Sequence, residues 1–244
     1  MLKKYFVLLL LFSPVAQAAS LIKIAGAADL RFVMQKLITS FKEVNGDIEF
    51  SENYGSSGNF VTQIKSGADF DIFFSADSTY ADEIATSGLS VDKPQSYAQG
   101  VLVLCGASSM KALTGSKYKK ISIANPSHAP YGRIAVEALK NSKVYDQIKD
   151  KLVLGENVSQ AAQFLQVGAA AAGLIAQSIS LTPEMKSADC HVVESSLYRP
   201  LIQSFVILKK SKNKATAERF TKFILNEKAQ SIFAQNGFHS IGAK

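Results

Sequence analysis

Four places in the chain bring small, hydroxyl-bearing or amide residues to the point where a strand-like run gives way to a helix-like one. They are Ala27-Ala28-Asp29, Gly55-Ser56-Ser57-Gly58, Pro130-Tyr131-Gly132 and Glu156-Asn157-Val158. The first N–H groups of a helix have no partner within it and sit at the positive end of its dipole, so such a turn suits an anion without needing a charged side chain. Ser57 adds a hydroxyl donor, and Gly26, Ala27 and Ala28 are too small to crowd a bound group. One such turn alone is an ordinary capped helix. Four of them, two in each half of the chain, describe a cleft for an acceptor-rich guest.

Other chemistries fit less well. Ser57, Asp29 and a histidine could in principle form a hydrolytic triad, but there is no G-x-S-x-G elbow, and His128, His191 and His239 stand isolated. Tyr54, Tyr97, Tyr131 and Tyr198 could offer phenolates to ferric iron, yet no two are adjacent on one strand. Dinucleotide and P-loop fingerprints do not occur. No cofactor and no direct protein ligand to a metal is expected, and the chain does not read as an enzyme.

The elements that must position these turns alternate as strand and helix, the signature of α/β architecture with mostly parallel strands. Apolar runs predict strands at 22–25, 48–50, 70–75, 100–105, 121–124, 152–154, 173–176, 191–193 and 201–208. Helical spacing predicts helices at 30–41, where Leu30, Val33, Leu37, Ile38 and Phe41 share a face, and at 59–66, 79–86, 131–140, 158–167 and the C-terminus. A polar connector at 89–99 marks a lobe boundary. A chain that leaves one lobe there and returns after residue 201 crosses twice, giving lobe I as 19–98 plus 202–244, lobe II as 99–201, and a two-strand hinge between them. Ligands of open α/β sheets bind beyond the carboxyl ends of strands, so the four turns would face one another across the interlobe cleft.

Residues 1–18 read as a cleaved export signal: Lys3 and Lys4, an apolar run at 5–12, then Ala16-Gln17-Ala18. The run is far shorter than the roughly 20 residues of a membrane span. No cysteine lies near the cleavage point, so a soluble, periplasmic product is expected. The net charge of +7 loses two lysines with the signal, and the remaining lysines are scattered among acidic and apolar residues, which argues against nucleic acid as a partner. Cys105 and Cys190 could form one disulfide in an oxidising compartment or remain two buried thiols.

At these residues the chain resembles the periplasmic molybdate-binding proteins of ABC importers, within the type II periplasmic-binding-protein fold. The resemblance covers essentially the whole mature chain and rests on Ala27-Ala28-Asp29-Leu30, Gly55-Ser56-Ser57-Gly58, Phe73-Phe74-Ser75-Ala76-Asp77, Asn125-Pro126 with Ala129-Pro130-Tyr131-Gly132, and Glu156-Asn157-Val158. It implies a monomeric, two-lobed protein that closes on molybdate or tungstate and delivers it to a permease in the inner membrane. It also implies that Asp29, Ser57, Tyr131 and Val158 hold the oxyanion, with Ala28 and Ser56 in support. Two departures stand out. One family branch supplies a tyrosine hydroxyl where this chain has Ala176, and Tyr131 replaces that donor. Many relatives have Ser or Asn at the position of Asp29.

Asp29 poses a problem of magnitude. A carboxylate about 4 Å from a dianion repels it by roughly 8 kcal/mol at an effective dielectric near 20, and micromolar binding is worth only about 8 kcal/mol. Three resolutions follow, in order of expectation. The side chain caps its own helix and presents only its N–H; or it is protonated by burial; or the ligand is a hydrogenphosphate or hydrogenarsenate whose proton it accepts. Arg133, just inside the helix that follows the third turn, could soften the repulsion.

Overall fold

The computed structural model describes residues 20–46 and 48–241, so the expected signal at 1–18 lies outside the described residues. Lobe I begins with β1 (Ser20–Ala27), α1 (Arg31–Asn45), β2 (Ile48–Gly55), α2 (Ser57–Lys65), β3 (Ile72–Ser75), α3 (Ser78–Thr86) and β4 (Gln95–Gly100). A second unit follows: β5 (Leu102–Cys105), β6 (Ile121–Ala124), α4 (Pro130–Asn141), α5 (Tyr145–Ile148), β7 (Leu152–Gly155), α6 (Val158–Gln166), β8 (Ala172–Ala176), α7 (Gln177–Ser180) and β9 (Cys190–Val192). The chain then returns as β10 (Leu201–Ile207), α8 (Lys214–Ile224), α9 (Glu227–Gln235) and β11 (Phe238–His239).

These strands form two sheets, in the orders β11-β4-β10-β3-β1-β2 and β7-β6-β8-β5-β9. The chain changes sheet between β4 and β5, where only Val101 intervenes, and returns between β9 and β10. The two crossings lie side by side, because Leu201 pairs with Gly100. Each sheet is mixed, where the sequence pattern had suggested mostly parallel strands. The strands linked by helical crossovers, β2-β1-β3 and β7-β6-β8, are parallel. Those next to the crossings, β4, β5 and β10, enter from the opposite end and pair antiparallel.

Amphipathic spacing decides how the helices dock. In α1, Val33, Met34, Leu37, Ile38 and Phe41 are buried as one stripe, and the helix stops at Gly46, whose φ of +37° suits a residue without Cβ. Phe41 packs edge-on to Phe220 with centroids 5.1 Å apart, and Phe74 packs on Tyr97 at 5.5 Å, tying α1, α8, β3 and β4 into one core. No helix among the described residues is long and apolar enough to cross a membrane.

Of the two states left open for the cysteines, the structure has the disulfide: Cys105 and Cys190 are bonded across the paired strands β5 and β9. The bond closes a loop of 85 residues in sequence separation, so it restricts the unfolded chain strongly. Replacing both cysteines by serine is expected to lower unfolding stability by about 2–4 kcal/mol, read from urea midpoints. An unchanged midpoint would show that β9 is held by its strand pairing alone.

Candidate functional site

The four turns are the carboxyl ends of four strands, and the structure brings them together. β1 ends in a 3-10 turn, Ala28–Leu30, before α1; β2 runs directly into α2, which begins at Ser57. In the second lobe α4 begins at Pro130 after β6, and α6 begins at Val158 after β7. Ala28, Asp29, Ser56, Ser57, Tyr131 and Val158 all border one cavity of about 10 Å³ between the lobes. This is room for about one water-sized probe with the lobes as closed as they are here.

Each turn has a local reason for presenting free donors. Pro130 fills the first position of α4, where a missing N–H costs nothing, so the N–H of Tyr131 is the first the helix can offer. An added Cβ on Gly132 would lie 2.1 Å from the Ala124 carbonyl oxygen, so only glycine lets α4 start this close to the end of β6. The Asn157 side chain accepts from the N–H groups of Ser159 and Gln160, at 3.0 and 3.1 Å, and leaves the Val158 N–H unclaimed. Ser57 is fully buried; its Oγ accepts from the Ala76 N–H at 3.0 Å, which leaves the hydroxyl proton free to donate. Among the described residues no Lys or Arg side chain lines the cavity. The positive potential comes from helix starts alone.

Asp29 does not cap its helix. The residue preceding the 3-10 turn is Ala27, and no side-chain cap bond is made there. Instead the fully buried carboxyl accepts from Gln203 Nε2 at 2.5 Å through Oδ2, while Oδ1 has no hydrogen-bond partner among the described residues. Gln203 is itself oriented by Tyr97, whose hydroxyl donates to Oε1 at 2.6 Å. Burial pushes the Asp29 carboxyl up to about 6, against the opposing effect of the donors Gln203 and Tyr131. Burial likewise holds the hydroxyls of Tyr97 and Tyr131 well above their usual range, so both are neutral. Arg133 does not soften this site. Its guanidinium donates to Asp77 Oδ2 at 2.8 Å and lies over the Tyr80 ring.

The lobes are closed on the cavity by direct contacts. The Gly58 N–H donates to the His128 carbonyl at 3.0 Å, and Ser56 Oγ lies 3.0 Å from His128 Nδ1. Ser159 Oγ donates to the Ala28 carbonyl at 3.0 Å and Ser178 Oγ to that of Asp29 at 2.9 Å. Asn59 donates to Glu156 at the rim, and the Arg133–Asp77 pair joins the lobes at another edge.

Residues 22–239 match the family described as bacterial extracellular solute-binding protein. The molybdate-binding protein ModA of Azotobacter vinelandii is 32% identical over 231 residues, covering 91% of both chains. ModA of Rhodobacter capsulatus is 34% identical over 191 residues, or 76% of this chain and 75% of that one. The chain belongs to the ModA family of bacterial extracellular solute-binding proteins. The solved A. vinelandii periplasmic molybdate-binding protein superposes with a TM-score of 0.84 at 27% identity, covering 91% of this chain and 100% of that one. The two-lobed type II architecture is thus the family's own.

Within this family member, sequence reasoning missed Gln203 and Tyr97, which fix the Asp29 carboxyl, and His128, which meets α2 across the cleft. A signal for Gln203 was present: it is the one amide in the apolar run Leu201–Ile207. His128 is positioned by tertiary contact and gave none. Gly58 leaves no room for a side chain at its contact with His128, since an added Cβ would lie 2.7 Å from the His128 carbonyl oxygen and 2.8 Å from the Tyr80 hydroxyl. Gly58→Ala is therefore expected to hold the lobes apart. The ligand-free variant should show a larger radius of gyration by small-angle scattering, and its oxyanion affinity should fall at least tenfold by calorimetry. Unchanged values for both would mean that closure does not need this backbone contact.

Proposed function

We propose that this protein captures molybdate or tungstate in the interlobe cavity and delivers it in the periplasm, as a monomer, to an ABC permease in the inner membrane. The basic start, apolar run and Ala16-Gln17-Ala18 of residues 1–18, read as an export signal, support that location. The observation that carries this reading is the meeting of four uncharged donor turns, two from each lobe, at one small cavity. Backbone N–H groups at Asp29, Ser57, Tyr131 and Val158, with the Ser57 hydroxyl, hold the anion, and Ala28 and Ser56 shape its surroundings. Hydrogen bonds to a charged group contribute roughly 1.5–3 kcal/mol each, so several preorganised donors offset a desolvation that one could not. Selection follows from size: donors set for long metal–oxygen bonds reach a smaller sulfate incompletely.

Tyr97, Tyr131 and Tyr198 lie near one another around Asp29, but they do not present their hydroxyls together to the cavity. Of these three and Tyr54 only Tyr131 borders the cavity, and among the described residues no cluster of three His, Cys, Asp or Glu exists to complete a ferric site. The reading as a binding protein rather than a hydrolase rests on the solute-binding family to which the chain belongs.

The test is thermal unfolding of the mature protein with molybdate, tungstate, sulfate, phosphate, arsenate or ferric iron. Molybdate or tungstate at about 1,000 times its dissociation constant should add roughly 4 kcal/mol, a rise of about 8–16 °C for a domain of this size. A rise with phosphate, arsenate or iron alone would overturn the assignment. Ser57→Ala should weaken molybdate binding by at least about tenfold, the worth of one charge-assisted bond. Unaltered affinity would remove Ser57 from the site.

A further inference from the structure

We propose that Asp29 enters the bound state as a neutral carboxylic acid, its Oδ1–H donating to one oxygen of a fully deprotonated tetrahedral dianion, so that capture takes up one proton from solvent. This rests on the reading of the cavity as an oxyanion site and goes beyond it, because it makes Asp29 a donor that selects among oxyanions.

Three observations support it. Asp29 borders the cavity and is fully buried, so its charge is shielded by little water. Its oxygens are not equivalent. Oδ2 receives Gln203 Nε2, and the Tyr97 hydroxyl fixes that amide by donating to Oε1, so Oδ2 has an acceptor's role; Oδ1 makes no well-formed hydrogen bond among the described residues, the Tyr131 hydroxyl lying near the carboxyl without completing one, and is the oxygen left to carry a proton. And among the described residues no cation compensates the carboxylate, since Arg133 is committed to Asp77.

The hydroxyls and amide packed directly around Asp29 stay neutral beside it. Tyr131 of α4 and Tyr97 of β4 face it, with Tyr198 beyond Tyr131, and all three hydroxyls are held above their ordinary values by burial. β10 contributes Gln203 and α7 contributes Ser178, whose hydroxyl donates to the Asp29 carbonyl; α2 and α6 contribute Ser57 and Val158 to the same cavity. His128 and Glu156 lie at the rim, 3.7 Å apart.

In the closed protein the carboxyl is already raised to about 6, and a dianion beside it raises it further. The bound state therefore holds more protons than the free state above that value, and affinity falls as pH rises. The slope approaches tenfold per unit well above that value, so affinity falls about fiftyfold between pH 6 and pH 8. An anion carrying its own proton behaves oppositely: hydrogenphosphate donates to ionised Asp29 and takes up no proton.

Titration calorimetry of molybdate into the mature protein at pH 7.5, in two buffers of different ionisation enthalpy, should give an uptake of about one proton per anion. Asp29→Asn, which carries a permanent N–H donor at the same place, should show no uptake and a flat affinity between pH 6 and pH 8. Molybdate binding without proton uptake by the wild-type protein, or an Asp29→Asn variant that keeps the wild-type pH slope and so assigns it to His128 or Glu156, would overturn the proposal. Phosphate binding without proton uptake, in place of molybdate, would show Asp29 to be an acceptor and overturn it as well. An absence of heat with every oxyanion would instead remove the oxyanion reading itself, and this inference with it.

Discussion

A small anion can be taken out of water only if the charge it loses contact with is replaced, bond for bond, by dipoles that are already aimed. That requirement explains why the cavity lies at the carboxyl ends of four strands, each followed by a turn of helix whose first N–H groups have no other partner. A lysine or arginine would supply more charge per residue. It would also bind anions of any shape, whereas fixed N–H groups reward only a guest whose oxygens fall where the donors point.

The same requirement governs the glycines. At Gly132 and Gly155 a Cβ would strike backbone, at 2.1 Å from the Ala124 carbonyl and 2.6 Å from the Ala161 nitrogen, so the starts of α4 and α6 are pressed onto their strands as closely as covalent chemistry permits. Gly58 repeats this across the cleft, where it lets α2 meet the His128 carbonyl directly. Two of these contacts set the donors within lobe II. The third brings the two sets of donors to one point, so the site exists in full only when the lobes are closed.

Much of this was legible in the chain because its signals are local. Turn composition marked the four strand-to-helix turns that border the cavity, helical spacing marked the buried stripe of α1, and the change of texture near residue 90 marked the approach to the first crossing. Boundaries were less legible. The Gly-Ser-Ser-Gly turn predicts a helix from 59, yet α2 begins at Ser57, because Gly58 is a glycine for the sake of His128 rather than to break a helix. Strand direction beside the crossings was not legible either, since an apolar run reads the same in a parallel or an antiparallel sheet. Asp29 looked like a cap from its neighbours in sequence. Its actual partner, Gln203, is 174 residues away.

That distant partner links the cavity to the hinge. Tyr97 lies on β4 and Gln203 on β10, the two strands of lobe I next to the crossings, and their hydrogen bond continues to Asp29 at the cavity. From the other lobe the Tyr131 hydroxyl arrives beside Gly100, so close that a Cβ there would lie 2.4 Å from it and 2.9 Å from Gln203 Nε2. Opening the lobes must draw Tyr131 away from this string and let water reach the Asp29 carboxyl, which favours its ionised form; closing them removes that water and favours the neutral one. Lobe position therefore biases the charge of Asp29, and the bound dianion completes the shift. An anion that tolerates only the neutral carboxyl draws the protein toward the closed state through the same group that it meets in the cavity.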